Sequence, residues 1–337
     1  MKIRNPRSVI IIFIYTLLNV SILVAAFKQK ADEGLVSKKG GSLAPEYTRI
    51  KNLDYFHMVE GVPQMSLTAS EMRSLGEQLA EFTSPKGVYN YLKKRKTLRY
   101  QADEATYRKK KDLLILTGNV QVNSDEMEYF AEKIKYYFKK DSLFGSGGVT
   151  FKGLDLKTQD QLEIHAERMN SNPQMQFTVF NGDVQGSLQR KKKYEGKMTF
   201  ASQKLQLDGI KSLAHLDGDV KMSRQSYLIT AGKADIYLEN YNKSLKYFVF
   251  NDDVKVTETL RTPTGTSLRK ASAERLEGFG KEQKMVLSGA PKVEHGEDVV
   301  KGYRITIREN MDLIEVDDAM SDVQMKREKK EKNKLKE

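Results

Sequence analysis

Through most of the chain beyond residue 50, apolar and polar positions alternate with a period of two. Ahead of Val120 the sequence reads Leu-Leu-Ile-Leu-Thr-Gly-Asn, with Leu114, Leu116 and Gly118 on one parity. After Ala131 it reads Glu-Lys-Ile-Lys-Tyr-Tyr-Phe, with Ile134, Tyr136 and Phe138 on one parity. Successive side chains of a strand point to opposite faces, so this alternation predicts half-buried β-strands. Clusters such as Lys140-Asp141-Ser142, Asn170-Ser171-Asn172-Pro173 and Glu239-Asn240-Tyr241-Asn242 separate the runs and supply the turns. Residues 70–80 break the rhythm: Met72, Leu75 and Leu79 stand at near-helical spacing, which allows a short helix or an irregular strand.

The alternation belongs to a repeat. A motif of the form apolar-x-Gly-Asn/Asp/Gly-Val-x-apolar occurs at Leu116–Val122, Gly147–Phe151, Phe180–Val184 and Leu216–Met222, with degenerate copies at Phe250–Val256 and Leu287–Val293. Val120, Val149, Val184, Val220 and Val254 are 29, 35, 36 and 34 residues apart. Between the copies stands a second signature, a small residue followed by polar positions, anchored at Ala69, Ala102, Ala131, Ala166, Ala201, Ala231, Ala273 and Gly302. Eight anchors with two strands each predict an all-β fold of roughly sixteen antiparallel strands. Glycine recurring at one level of every strand marks a bulge or bend. A sheet bent at one level in every strand folds over on itself. Its inward parity holds Leu114, Leu116, Val120, Val122, Ile134, Tyr136, Phe138, Val149, Phe151, Val184, Val220, Met222, Val254 and Val256. Those side chains line either a packed sandwich core or an open trough, because the pattern is the same for both.

The N-terminus follows a different rule. Lys2, Arg4 and Arg7 precede an uncharged run over residues 8–27, closed by Lys28 and Lys30. Twenty residues at a rise of about 1.5 Å each match a hydrocarbon core of about 30 Å. The run predicts one transmembrane helix, with residues 1–7 as a basic cytoplasmic tail and the bulk of the chain on the far side. Val24-Ala25-Ala26 offers a signal-peptidase exit, which makes a secreted form the other reading. Thr16 and Asn19 lie on one face of the helix, where a partner helix could satisfy them. Residues 28–50 are polar, contain Gly40, Gly41 and Pro45, and read as a tether; residues 321–337 form a charged tail.

Net charge is +12, but the stretch 93–111 and the tail from Lys326 carry nearly all of it. The remainder is close to balanced, unlike a domain that tracks a nucleic acid backbone. The chain has no cysteine, which excludes disulfides, thiolate metal sites and a cysteine nucleophile. His57, His165, His215 and His295 are far apart and form no HExxH. His165-Ala166-Glu167 lacks the cysteines that complete a deaminase zinc site, and Ser267-Leu268-Arg269-Lys270 fits SxxK without its partner motifs. No catalytic residue, metal site or cofactor is expected.

With an anchor, a tether and repeated Ala-Asp/Glu and Gly-Asn/Asp-Val strands, the chain resembles the OstA-like family of lipopolysaccharide-transport proteins, and within it the LptC family. Ala102-Asp103-Glu104-Ala105 leading to Leu116–Val120 is the most family-like stretch, and Leu53-Asp54-Tyr55-Phe56 through Leu67-Thr68-Ala69 looks like the entry to such a domain. The resemblance implies an elongated, edge-open β-jellyroll in the periplasm, tethered to the inner membrane. An LptC-like part over 51–185 would be followed by an LptA/OstA-like extension over 186–320. The inward residues named above would then be a lipid groove, accepting lipopolysaccharide acyl chains from an inner-membrane ABC transporter and passing them to an LptA-like bridge protein. The last strand, with Leu313, Ile314 and Val316, would be the partner edge. A membrane-tethered structural stalk without lipid cargo is the competing reading.

Overall fold

The structure, a computed structural model, describes residues 47–317 except for 60, 77, 92–95, 124–126, 138–139, 141, 155–158, 173–175, 192–195, 240–244, 263–264 and 309–313. The predicted anchor with Thr16 and Asn19, most of the tether, Phe138, Leu313 and the charged tail lie outside the described residues. Among the described residues no helix is long and apolar enough to cross a membrane.

The alternation becomes strands throughout. They are β1 (Tyr47–Val59), β2 (Val62–Leu75), β3 (Leu79–Thr83), β4 (Lys86–Tyr91), β5 (Lys96–Gln101), β6 (Glu104–Arg108), β7 (Leu113–Asn123), β8 (Met127–Tyr137), β9 (Ser142–Leu154), β10 (Gln161–Asn172) and β11 (Phe177–Gln189). There follow β12 (Lys197–Asp208), β13 (Leu213–Arg224), β14 (Tyr227–Leu238), β15 (Leu245–Thr262), β16 (Gly265–Phe279), β17 (Lys284–Ser288), β18 (Lys292–His295), β19 (Asp298–Lys301), β20 (Arg304–Arg308) and β21 (Ile314–Asp317). One 3-10 turn, Lys109–Lys111, joins β6 to β7. The ambiguous stretch 70–80 is strand: β2 runs to Leu75, and β3 pairs back on it from Leu79.

The twenty-one strands among the described residues exceed the sixteen expected, for a reason visible in the pairing. β2 pairs with β3 through Glu71–Leu75 and with β4 through Met65–Thr68, so β3 and β4 are one strand interrupted at Ser84-Pro85. β7 likewise pairs with β6 and β5, and β16 with β17 and β18. β19 and β20 are separated only by Gly302-Tyr303. Each break falls at the level where the uninterrupted strands carry a bulge.

That level is a crease. Register shifts occur at Thr117/Val120, Phe130/Lys133, Ala166/Arg168, Asp217/Val220, Thr230/Lys233 and Asn251/Val254. The Gly-Asn/Asp pair of the repeat takes left-handed backbone at both residues, with φ of +77° and +47° at Gly118-Asn119 and +79° and +49° at Gly218-Asp219. Two such residues in succession turn each strand while its ladder resumes on the far side. The two leaves so formed face one another: Phe151, past the crease of β9, stands 6.2 Å by ring centroid from Phe180, before the crease of β11.

The second signature is the other half of the same bend. Ala69, Ala102, Ala131, Ala166, Ala231 and Ala273 are buried at the crease. The residue that follows lies over the glycine of the neighbouring strand: a Cβ on Gly147 would lie 2.5 Å from Glu132 Cβ, and one on Gly289 would lie 2.6 Å from Glu274 Cβ. Asp103 and Glu167 cover Gly118 and Gly182 in the same way. The fifth anchor is Ser202, not Ala201: Ser202 is buried and Gln203 covers Gly218. The degenerate copy Asn251-Asp252-Asp253 lacks its glycine because the strands have exchanged roles. Gly232 occupies the acid's place on β14, and Asp252, at φ +70°, covers it.

Contacts divide the chain into two compact units, one holding residues up to Tyr194 with Lys204–Lys211, the other Glu195–Gln203 with residues from Ser212 onward. In the first, β7 to β11 form an antiparallel meander that continues through β6 with β3 and β5 with β4 to β2 and β1. In the second, β13 to β16 form a meander completed by β17 with β20 and β21 on one leaf and β18 with β19 on the other.

Candidate functional site

The inward face of the first unit changes character with distance from the crease. Val120, Val149 and Val184, the repeat valines, are at most 2% exposed, and Leu116, Ile134, Met169 and Phe180 are buried beside them. One row outward, Leu114, Val122, Tyr136, Leu143 and Phe151 are only half-buried, although Ile164, opposite Phe151, is fully buried, and Leu162 and Leu188, a row farther out, are half-buried again. Cross-strand pairing puts these on one face: Leu114 opposite Tyr136, Leu116 opposite Ile134, Val122 opposite Tyr129, and Tyr129 opposite Phe151. Burial on this face is thus complete along the crease and partial farther out, the pattern that an apolar trough between the leaves would give. Such a surface favours apolar ligands by about 25 cal/mol per Å² removed from water.

Aromatic side chains furnish the walls. Tyr129 and Phe151 meet at 5.0 Å between ring centroids. The Tyr100 ring lies over Gly87, where a Cβ would collide with it. Burial raises the phenol pKa of Tyr55 and Tyr100 above the ordinary value and pushes Tyr129 up to about 12. Tyr107 is also pushed up to about 12, by burial first and then by the Asp112 carboxylate that its hydroxyl meets at 3.3 Å. At neutral pH these four phenols are therefore neutral. The polar inward pair, Ser171 and Thr178, is satisfied internally at 2.8 Å.

In the second unit burial extends farther from the crease. Val220 and Val254 lie at the crease, and the next row, Met222, Ile229, Val256, Ala271 and Val293, is buried as well. The row beyond is polar yet still buried through Tyr227, Glu258 and Arg269. Arg269, 1% exposed, donates to Glu258 Oε2 from Nε at 2.8 Å and from Nη2 at 2.5 Å. Nothing in the sequence reading anticipated this pair. Its signal was present, since Glu258 shares parity with Val254 and Val256, and Arg269 with Ala271 and Ala273.

Other candidates disperse. His165 is exposed on the outer face, 3.0 Å from Thr150 Oγ1 and 3.4 Å from Glu163, and His215 meets Asp235 at 2.6 Å. Among the described residues no three His, Asp or Glu side chains stand close enough to hold a metal ion. Ile314 and Val316 lie on β21 opposite Ile307 and Ile305, and among the described residues no strand pairs with the other side of β21 or of β19.

Comparison with known families follows this division. A family of LptC-related lipopolysaccharide-assembly proteins matches residues 11–189, and a family of LptA/LptD N-terminal lipopolysaccharide-transport proteins matches residues 199–312. Comparison with curated proteins gives no match. Among solved structures, LptH of Pseudomonas aeruginosa, described as the LptA-homologous periplasmic component of the lipopolysaccharide transport device, aligns at 17% identity and a TM-score of 0.33, over 39% of this chain and 89% of its own.

Proposed function

Because the chain belongs to the LptC-related lipopolysaccharide-assembly family, we propose that its first unit receives lipopolysaccharide acyl chains in the trough and hands them onward. The observation that carries this is the gradient of burial: sealed valines at the crease, half-buried Leu114, Val122, Tyr136 and Phe151 outside them. A dry core would bury both rows. Acyl chains entering the trough leave water, and the aromatic walls contribute contact area without charge. The protein acts as a carrier and not as a catalyst. It has no energy source of its own, so directional movement comes from ATP hydrolysis in an inner-membrane ABC transporter.

In this reading residues 8–27 anchor the chain in the inner membrane, residues 51–185 form the LptC-like jellyroll, and residues 186–320 are an LptA-like extension toward a bridge protein in the periplasm. The match of the second half to LptA/LptD N-terminal proteins supports the extension. Photo-cross-linkers at Tyr136 and Val122 should capture lipopolysaccharide in cells, whereas Lys135 and Gln121, on the opposite parity, should not. Equal capture from both parities removes the trough as the binding surface.

A further inference from the structure

Along the polar row of the second unit, cross-strand partners run Tyr227, Glu258, Arg269, His295 and Asp298 over β14, β15, β16, β18 and β19. The row is buried at Tyr227, Glu258 and Arg269, half-buried at His295 and exposed at Asp298. It therefore leads from the edge of β19, on which no described strand pairs, into the interior. His295 Nε2 is 3.1 Å from Ser267 Oγ.

The guanidinium in the middle of this row uses only one of its edges. Nε and Nη2 both point to Glu258 Oε2, while Nη1 is buried and has no hydrogen-bond partner among the described residues. A buried charged donor left unmade is costly, and a planar guanidinium fixed on one edge cannot swing Nη1 to another acceptor. The fold could place an apolar residue here, as it does one row nearer the crease at Ala271. It places a preorganised donor inside an apolar interior.

We propose that Arg269, held by Glu258, is a binding residue for the linkage oxygen of an acylated lipid, with Nη1 donating to the carbonyl of an ester or amide. The proposal rests on the reading of the chain as an acyl-lipid carrier and extends it to the second unit. Charge selects the carbonyl over a phosphate. Glu258 neutralises Arg269, so the site offers a directed donor without net positive charge, and a phosphate would face that carboxylate in a medium where repulsion is strong. A carbonyl oxygen brings no charge and needs one donor. Below the row, Val256, Ala271 and Val293 present the apolar floor on which the attached hydrocarbon would lie once the leaves part.

The test compares short-chain diacyl phosphatidylglycerol, ester-linked, with its dialkyl ether counterpart, which keeps headgroup and chains but lacks the carbonyls. Binding to the full-length protein is measured for both. The wild-type chain should bind the ester form about tenfold more tightly, the scale of one hydrogen bond to a charged donor. The double variant Glu258→Leu with Arg269→Met removes both charges together, a change that buried pairs tolerate, and it should bind both lipids equally. Should that variant fail to fold by circular dichroism, Arg269→Lys keeps the pair without the fork and should reduce the preference several-fold. An ester preference that survives in the folded variants overturns the proposal, as does equal binding of the two lipids by the wild type. A preference that instead follows removal of the headgroup phosphate makes the site an anion site and also overturns it. Binding of neither lipid by the wild type would count against the carrier reading itself.

Discussion

At most bends an acid and a glycine form one unit, with Gln203 in the acid's place over Gly218, because the left-handed backbone and the overlying side chain leave no room for a Cβ. Which strand carries which member is free, as Gly232 beneath Asp252 demonstrates beside the commoner arrangement of Asp103 over Gly118. Gly118→Asp alone should destabilise the protein by about 1–3 kcal/mol, the cost of a strained and crowded backbone site. Adding Asp103→Gly recreates the exchanged arrangement and should recover most of that loss, read as the urea midpoint. No recovery would mean that the two positions are not coupled. The tyrosines make a separate expectation. A phenol with a folded pKa raised above its unfolded value of about 10 contributes stability that is complete below that pH and is lost as pH rises through the folded pKa. Tyr107 and Tyr129, both pushed up to about 12, place that loss between about pH 10 and pH 12. Tyrosinate absorbance should lag behind that of the urea-unfolded chain across this window, and Tyr107→Phe should remove part of the lag. Coincident titration curves would show the phenols to be solvated.

At the scale of strands, most of what mattered was written in period two. Leu116, Val120, Ile134 and Val254, on the parity read as inward, are all buried, because a strand alternates faces whatever its neighbours do. It could not count strands, since Ser84-Pro85 and Ala102-Asp103 interrupt hydrogen bonding without interrupting the pattern. It also misplaced one anchor by a residue, taking Ala201 for its buried neighbour Ser202. Composition favours alanine there, but only the glycine across the ladder identifies the position. The last strand carries the element-level prediction. β21 pairs with β20 through Ile314 and Val316 and presents its other edge unpaired among the described residues, the kind of edge to which a partner sheet adds. Deleting residues 311–337 should leave lipid capture at Tyr136 intact and abolish transfer to an LptA-like partner. Transfer that persists from the folded, shortened chain rules out this edge as the exit.

Across the molecule, the same kind of crease recurs in two interiors of different kinds. The pattern of apolar residues is the same in both, so the sequence could not say which would be open. The decision lies one and two rows outward: bulky Tyr129 and Phe151 are only half-buried in the first unit, while small Ala271 and Val256 lie buried beneath an ion pair in the second. The way the strands pair bears also on how the chain acquires its structure. Every pairing described joins strands adjacent in sequence, or nearly so where a break at the crease intervenes. Loop-closure entropy is then small at each step, and no strand waits for a distant partner. Such a chain can form from its first strand as synthesis proceeds, each new strand closing on the one just made. Growth by one more repeat would add a folding step at the end without altering those before it.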